Sequence, residues 1–324
     1  MKKVFITGGS GTVGSSFIKE YSSKYKFYSY SRNEKMQVAL KRTYPGVEIF
    51  MGGIEDYESL LVSLRASQPD ILIHAAAMKH VETGETNPLE TCKINICGSA
   101  NIIKGALNTG VKQVIGISTD KACLPDCVYG HTKLLMEKMF LQGVSRKTKF
   151  SICRFGNVTY SHGSVLPYWF GLLNSDRPLD LTSQTMNRLM FSRKEAAHLI
   201  EYGIQKMEKS AEGFILSRKM KTINLSALAQ ALSSNIIEVG VRPGEKLEED
   251  LISPHEVPFC HVEGEYIVLR PGSKASSSTP LSSLLPPNTG YSTKTAPRAT
   301  PEEVKKIIQE GESLRQTPLS ANIY

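Results

Sequence analysis

Val4-Phe5-Ile6-Thr7-Gly8-Gly9-Ser10-Gly11-Thr12-Val13-Gly14 sets an apolar run directly before glycines spaced three apart, at 8, 11 and 14. The run reads as a strand, and Ser15–Tyr21 reads as the helix that follows. Glycines at these positions let the chain turn tightly, bring backbone N–H groups against a pyrophosphate, and pack the helix close to the strand. A glycine triplet alone is weak evidence. Placed between a strand and a helix it is the signature of a dinucleotide-binding unit.

The pattern outside this stretch agrees. Short β-rich runs occur near 4–7, 26–30, 71–77, 113–118 and 150–155, and segments such as Glu55–Ala66, Asn95–Asn108 and His131–Gln142 carry helix-spaced apolar residues. Strands separated by helices predict parallel strands with crossover connections, hence an α/β fold with a doubly wound parallel sheet. ILIHAAA at 71–77 is apolar almost throughout, as a strand covered on both faces should be. Beyond residue 160 the alternation breaks down. We expect a dinucleotide-binding domain over 1–160 and about 186–216, and a smaller C-terminal substrate lobe and tail over 161–185 and 217–324. The Ser/Pro-rich stretch 273–290 reads as a mobile loop or tail, and a last helical segment starts at Pro301.

The chain has 324 residues, 40% of them hydrophobic, enough for a sizeable core. Its 39 Lys+Arg against 31 Asp+Glu leave a net charge of +8, but the basic residues are scattered without interleaved aromatics, which argues against nucleic acid. A basic surface equally suits doubly anionic small ligands. No segment has the length of a secretory apolar core or a membrane span. The six cysteines form no CxxC pair and no metal-ligand spacing, so no metal is expected, and reduced thiols in a cytoplasmic setting are.

Two further features carry chemistry. The second strand ends at Ser31-Arg32, where an NAD-preferring protein offers a carboxylate to the ribose hydroxyls; a cation, a hydroxyl and nearby Lys35 suit the 2′-phosphate of NADP instead. Tyr129 and Lys133 are four residues apart, on one face of a helix. A phenol beside an ammonium and an oxidised nicotinamide should have a lowered pKa and serve as base for an alcohol being oxidised.

The blocks TGGSGTVG, YSR at 30–32, HAAAMKHV at 74–81, ETNPLETCKIN at 85–95, STDKA at 118–122, YGHTK at 129–133, RFGNV at 154–158, HGSVLP at 162–167 and RPGEKL at 242–247 run in order over most of the chain. Together they resemble the extended short-chain dehydrogenase/reductase (NAD-dependent epimerase/dehydratase) family, and within it the inverting UDP-N-acetylglucosamine 4,6-dehydratases. The resemblance implies a Rossmann-like fold, a UDP-N-acetylhexosamine substrate, NADP rather than NAD, and a homodimer or higher oligomer. It implies a catalytic set of Thr119, Asp120, Lys121, Tyr129 and Lys133. Hydride leaves C4 while Tyr129 takes the hydroxyl proton, a neutral Lys121 amine takes the C5 proton, and protonated Asp120 helps the C6 hydroxyl leave. The hydride then returns to C6, and C5 is reprotonated on its other face. A neutral Lys121 requires a depressed pKa. Gly8, Gly11, Thr12, Val13, Gly14, Ser31, Arg32, Lys35, Ile54, Ala75 and Ala76 match the cofactor site. Lys79, His80, Asn157, Ser164, Val165, Asn187, Arg188, Arg242 and Glu245 match positions near the sugar, diphosphate and uridine.

The sequence departs from the family at Gly53, where an adenine-binding aspartate is usual, at Met186–Met190, and at His162, where an arginine is usual. The rival activities on the same residues are a UDP-sugar 4-epimerase or a 4-keto-sugar reductase, which do not need the Asp120-Lys121 pair. A non-catalytic dinucleotide sensor would be expected to lose Tyr129 or Lys133.

Overall fold

The structure is a computed structural model that describes residues 1–145, 147–210, 212–272 and 279–315. From the N-terminus run β1 (Lys2–Thr7), α1 (Thr12–Tyr21), β2 (Tyr25–Ser31), α2 (Glu34–Thr43), β3 (Glu48–Met51), α3 (Tyr57–Ser67) and β4 (Ile71–His74). Two short helices, α4 (Val81–Thr86) and α5 (Pro88–Cys92), then lead through a π-turn at Lys93–Cys97 into α6 (Gly98–Thr109). β5 (Gln113–Thr119), α7 (Val128–Gln142) and β6 (Lys149–Phe155) complete the first half.

All six strands pair in parallel, in the spatial order β3-β2-β1-β4-β5-β6. The order reverses between β1 and β4, which opens a crevice at the carboxyl ends of those strands. β4 and β5 are buried along their whole length because helices cover both faces. The strand expected over 71–77 stops at His74; there Ala75 N–H donates to the Thr7 carbonyl and the chain turns out over the glycine loop.

The second half alternates between two places. β7 (Asn157–Val158), α8 (Val165–Asn174), β8 (Leu179–Leu181) and β9 (Asn187–Phe191) build a lobe, and α9 (Arg193–Lys209) returns to pack on α1. β10 (Ile215–Arg218) then joins β6 in parallel. β11 (Lys221–Asn224), α10 (Leu225–Gln230) and β12 (Ile236–Glu238) return to the lobe, followed by β13 (Asp250–Ile252). β14 (Cys260–Glu263), β15 (Tyr266–Leu269) and β16 (Thr279–Pro280) extend the main sheet in antiparallel fashion, so strands from beyond residue 217 belong to it. β17 (Tyr291–Ser292) pairs with β13, and α11 (Pro301–Arg315) closes the described chain. The lobe has its own core, including Tyr160, Leu166, Trp169, Phe170, Leu228 and Ala229.

One expectation is corrected here. Of the Ser/Pro-rich stretch, residues 273–278 lie outside the described residues, but the remainder is built into the fold. Thr279–Pro280 pairs with β14, and Leu281 is buried in the main core beside the 3₁₀ turn Leu281–Leu284. Leu281, with partly buried Leu285 packed against the same core, anchors the segment despite its composition.

Candidate active site

The β1–α1 turn is as tight as the glycines imply. Gly8 has φ +70, and a Cβ added to it would lie 3.0 Å from the Ala76 backbone nitrogen; one added to Gly14 would lie 2.6 Å from Gly9 Cα. Gly11 occupies the N-cap position of α1 with no side chain covering the first turn, so the Thr12 and Val13 end of the helix presents its N–H groups to the crevice. At the tip of β2, Ser31 is half-buried while Arg32 and Lys35 are exposed. Asn33 caps α2 by accepting from Met36 N–H. Ile54 is buried against Gly98, where a Cβ would come within 2.7 Å of it. A Cβ at Gly53 would meet the Glu55 carboxylate at 2.4 Å, so Glu55 lies over this position.

The reacting groups sit on a shelf at the carboxyl end of β5. Thr119 ends the strand, Asp120–Ala122 form a 3₁₀ turn, and Tyr129 lies in the first turn of α7. α7 reaches this turn only because residue 130 is glycine: a Cβ there would stand 2.3 Å from the Lys121 carbonyl oxygen. Glu85 accepts from Val128 N–H at 2.7 Å and so satisfies one of the helix's first donors. The Thr119 hydroxyl donates to Asp120 Oδ1 at 2.8 Å and lies close to the Tyr129 phenol.

Lys121 Nζ lies 3.2 Å from Asp120 Oδ1 and 2.8 Å from Glu249 Oε1, both carboxylates being almost wholly buried. Burial alone would depress the lysine, but the two carboxylates outweigh it and hold the ammonium above its ordinary range, with Arg188 opposing them. The expected depressed pKa is therefore corrected: the resting Lys121 is a paired cation. Tyr129 differs in the same way. Burial raises its phenol above the usual value, and the Lys121 charge and the Thr119 hydrogen bond only partly offset this. Lys133 is buried, donates to the Ile117 carbonyl at 2.6 Å, and is pushed down to about 8 by desolvation against the attraction of Glu137.

The substrate-side residues divide. Lys79 donates to the His162 carbonyl at 2.6 Å, and exposed His80 packs at Gly163, bringing the loop after β4 against the start of the lobe. Ser164 and Val165 open α8, and Asn157 is half-buried on β7. Asn187 and Arg188 are buried on β9: Asn187 donates to Glu248 at 2.8 Å, and Arg188 donates to the Asn187 and Leu247 carbonyls. Arg242 is exposed on a turn through Gly244, which has φ +76, and Glu245 is half-buried. Glu249 was not singled out in the sequence. Its signal is faint: an acidic run, Glu248-Glu249-Asp250, feeds directly into the apolar Leu251-Ile252, which implies that at least one of the acids is carried inward.

Among the described residues, Ser118 Oγ, Asp120 Oδ2, Ser164 Oγ and Glu245 Oε2 are buried without a hydrogen-bond partner. Buried polar atoms are rarely left so. Several such atoms on the segments that carry the shelf and the lobe fit a ligand rich in hydroxyl and amide groups, and the glycine turn, which any Cβ would fill, fits a dinucleotide pyrophosphate. Among the same residues no helix is long and apolar enough to cross a membrane.

Comparison with known proteins gives this arrangement a context. The chain is 35% identical over 285 residues to a UDP-N-acetylglucosamine 4,6-dehydratase (inverting) of Campylobacter jejuni strain 81-176, covering 84% of each chain. It is 32% identical to a UDP-glucose 4-epimerase of Rickettsia bellii, covering 82% of each. The X-ray structure of Pen from Bacillus thuringiensis superposes with a TM-score of 0.85 at 28% identity, covering 96% of this chain and 98% of that one. Residues 4–270 match the family described as polysaccharide biosynthesis protein. With its sheet order, glycine turn and Tyr129 shelf, the chain belongs to the polysaccharide biosynthesis protein family of extended short-chain dehydrogenases/reductases.

Proposed function

We propose that the protein is an enzyme that removes water across C5 and C6 of UDP-N-acetylglucosamine with inversion at C5, using NADP, to give a UDP-2-acetamido-2,6-dideoxy-L-hexos-4-ulose. The observation that carries this reading is the Asp120-Lys121 pair, buried beside Tyr129 on one shelf. An epimerase needs a base for the C4 hydroxyl alone; two additional proton-transfer groups suit an elimination.

When bound, the nicotinamide supplies a reversible hydride acceptor for C4 and donor for C6. The chain's own residues supply the rest. Tyr129 takes the C4 hydroxyl proton as its phenol gives its own proton to Thr119 and the Thr119 hydroxyl gives its own to the Asp120 carboxylate. The C4 ketone acidifies C5–H, which Lys121 removes. Asp120, a carboxylate at rest, gains the proton relayed from the C4 hydroxyl through Tyr129 and Thr119 and gives it to the departing C6 hydroxyl, which leaves as water. Arg32, Lys35 and Ser31 at the β2 tip favour the 2′-phosphate of NADP over NAD, and Glu55 replaces the family's aspartate at the adenine. Glu245 Oε2 suits a uridine ribose hydroxyl. A cytoplasmic homo-oligomer is the assembly this reading carries with it.

Incubation with UDP-N-acetylglucosamine in deuterated water tests the proposal. Product with deuterium at C5, the L-configuration there, and no net NADPH consumption is expected. The relative from Rickettsia bellii makes a 4-epimerase the second reading, and a product inverted at C4 with unlabelled C5 and C6 still hydroxylated would establish that reading instead. A freshly formed D-configured ketone would refute inversion.

A further inference from the structure

A lysine that must act as a base is stored here as a buried ammonium, and the structure contains the group that can relieve it. Glu249 reaches Lys121 from the far end of the chain. Its backbone is clamped on both sides by Thr293: Glu249 N–H donates to Thr293 Oγ1 at 3.0 Å, and Thr293 N–H donates to the Glu249 carbonyl at 2.9 Å. The β13–β17 pair lies directly after this clamp. The carboxylate is thereby fixed at 2.8 Å from Lys121 Nζ, with 2% of its side chain exposed. A position so enforced, beside a lysine whose side chain is only 18% exposed, makes the two groups one titrating unit.

We infer that Glu249 is a positioning residue that shares a single proton with Lys121, holding it on nitrogen at rest and accepting it when the amine must take the C5 proton. The inference rests on the dehydratase reading for its use, though not for its existence. The transfer breaks one N–H bond of Lys121 and forms one O–H bond on Glu249; the freed nitrogen lone pair then takes C5–H. No electron changes hands, and the net charge of the unit is constant. The charged and titratable groups acting on Lys121 are Asp120 on its own turn, Glu249 before β13 and Arg188 on β9, and Lys121 in turn acts on Tyr129 in α7 and on Cys127 at its cap. Burial raises Glu249 toward the neutral form, so the protonated acid is within reach. Asp120 is a poorer acceptor for this proton, because it lies farther away and its Oδ1 already takes the Thr119 hydroxyl.

An internal proton unit has a particular pH signature. In the wild type the fraction of neutral amine is set inside the pair and does not follow bulk pH. In Glu249→Gln the amine must release its proton to solvent, so its base form grows about tenfold per pH unit below its own pKa. The experiment measures solvent-deuterium entry at C5 across neutral to mildly alkaline pH for the wild type, Glu249→Gln and Glu249→Asp. Lys121 is followed in parallel by NMR of protein labelled at lysine Cε, with no substrate present. The ratio of wild-type to Glu249→Gln rates should fall about tenfold per pH unit, Glu249→Asp should keep the wild-type slope, and the Lys121 resonance should titrate at lower pH in Glu249→Gln. Parallel rate profiles, or a Lys121 titration unmoved by Glu249→Gln, would overturn the inference. Should the wild type not dehydrate the substrate at all, the functional reading fails and the lysine titration alone decides the pair.

Discussion

Thr12 and His162 are bonded twice across the cleft: the threonine hydroxyl stands 2.7 Å from His162 Nδ1 and accepts from the His162 backbone N–H at 3.0 Å. The contact ties the first turn of α1 to the loop that leads into α8. Burial, with Arg193 and Lys79 adding to it, pushes the imidazole down to about 4, so the ring is neutral at physiological pH. His162→Ala should weaken dinucleotide binding about 2- to 10-fold, the value of one hydrogen bond. The loss should be the same at pH 6 and pH 8, as calorimetry on the purified protein would check. A loss confined to the acidic side would mean that a charged imidazole, not the tie, was responsible.

Arg32 has no acidic residue beside it before Glu34 and is exposed at the end of β2. Arg32→Asp should invert cofactor preference, costing NADP about 10- to 100-fold in affinity while NAD gains. Equal affinity of the wild type for the two dinucleotides would remove the basis for this expectation.

Gly130 admits α7 to the Lys121 carbonyl. Gly130→Ala should lower stability by about 1–3 kcal/mol and reduce turnover more than it reduces cofactor affinity, because the clash falls on the shelf and not on the glycine turn. Thermal melting with a cofactor titration separates the two effects.

Glu263 accepts from Lys206, Tyr202 and His261, which together overcome its partial burial and hold its carboxyl down at about 2. A carboxyl depressed in the folded state stabilises above its unfolded pKa and loses that contribution as pH falls through the folded one. Glu263→Gln should therefore cost about 1–2 kcal/mol near pH 6, after discounting for screening at a side chain that is 29% exposed. The gap from wild type should close between about pH 4.5 and pH 2, as denaturant titrations at several pH values would show.

The glycine turn, the parallel strands and the Tyr129 helix were legible because each is written in neighbouring residues: a spacing of three, an apolar run, a separation of four. The Ser192–Glu195 capping box at the start of α9 is a feature that the sequence reading did not use. The antiparallel extension through β14 and β15 was harder to read, since four-residue strands give periodicity little to act on. The sign of the Lys121 shift lay out of reach for a different reason. Burial and a cationic cofactor argue for depression, and neighbouring Asp120 together with Glu249 reverses it. That pairing depends on where β13 runs and not on any spacing near Lys121.

The Thr293 clamp gives the shelf a place in time as well as in space. Strands β1 to β6 are all made before residue 156, ahead of α9, which packs on α1 and covers β5 and β6, and of β10, which pairs with β6. Lys121 at that stage has Asp120 alone beside it. The second carboxylate takes its place only when residues 249 to 293 have emerged and closed on each other, so the glycine turn is made long before the shelf can be completed. Without Thr293 the chain would lack the clamp that fixes the second carboxylate beside its lysine.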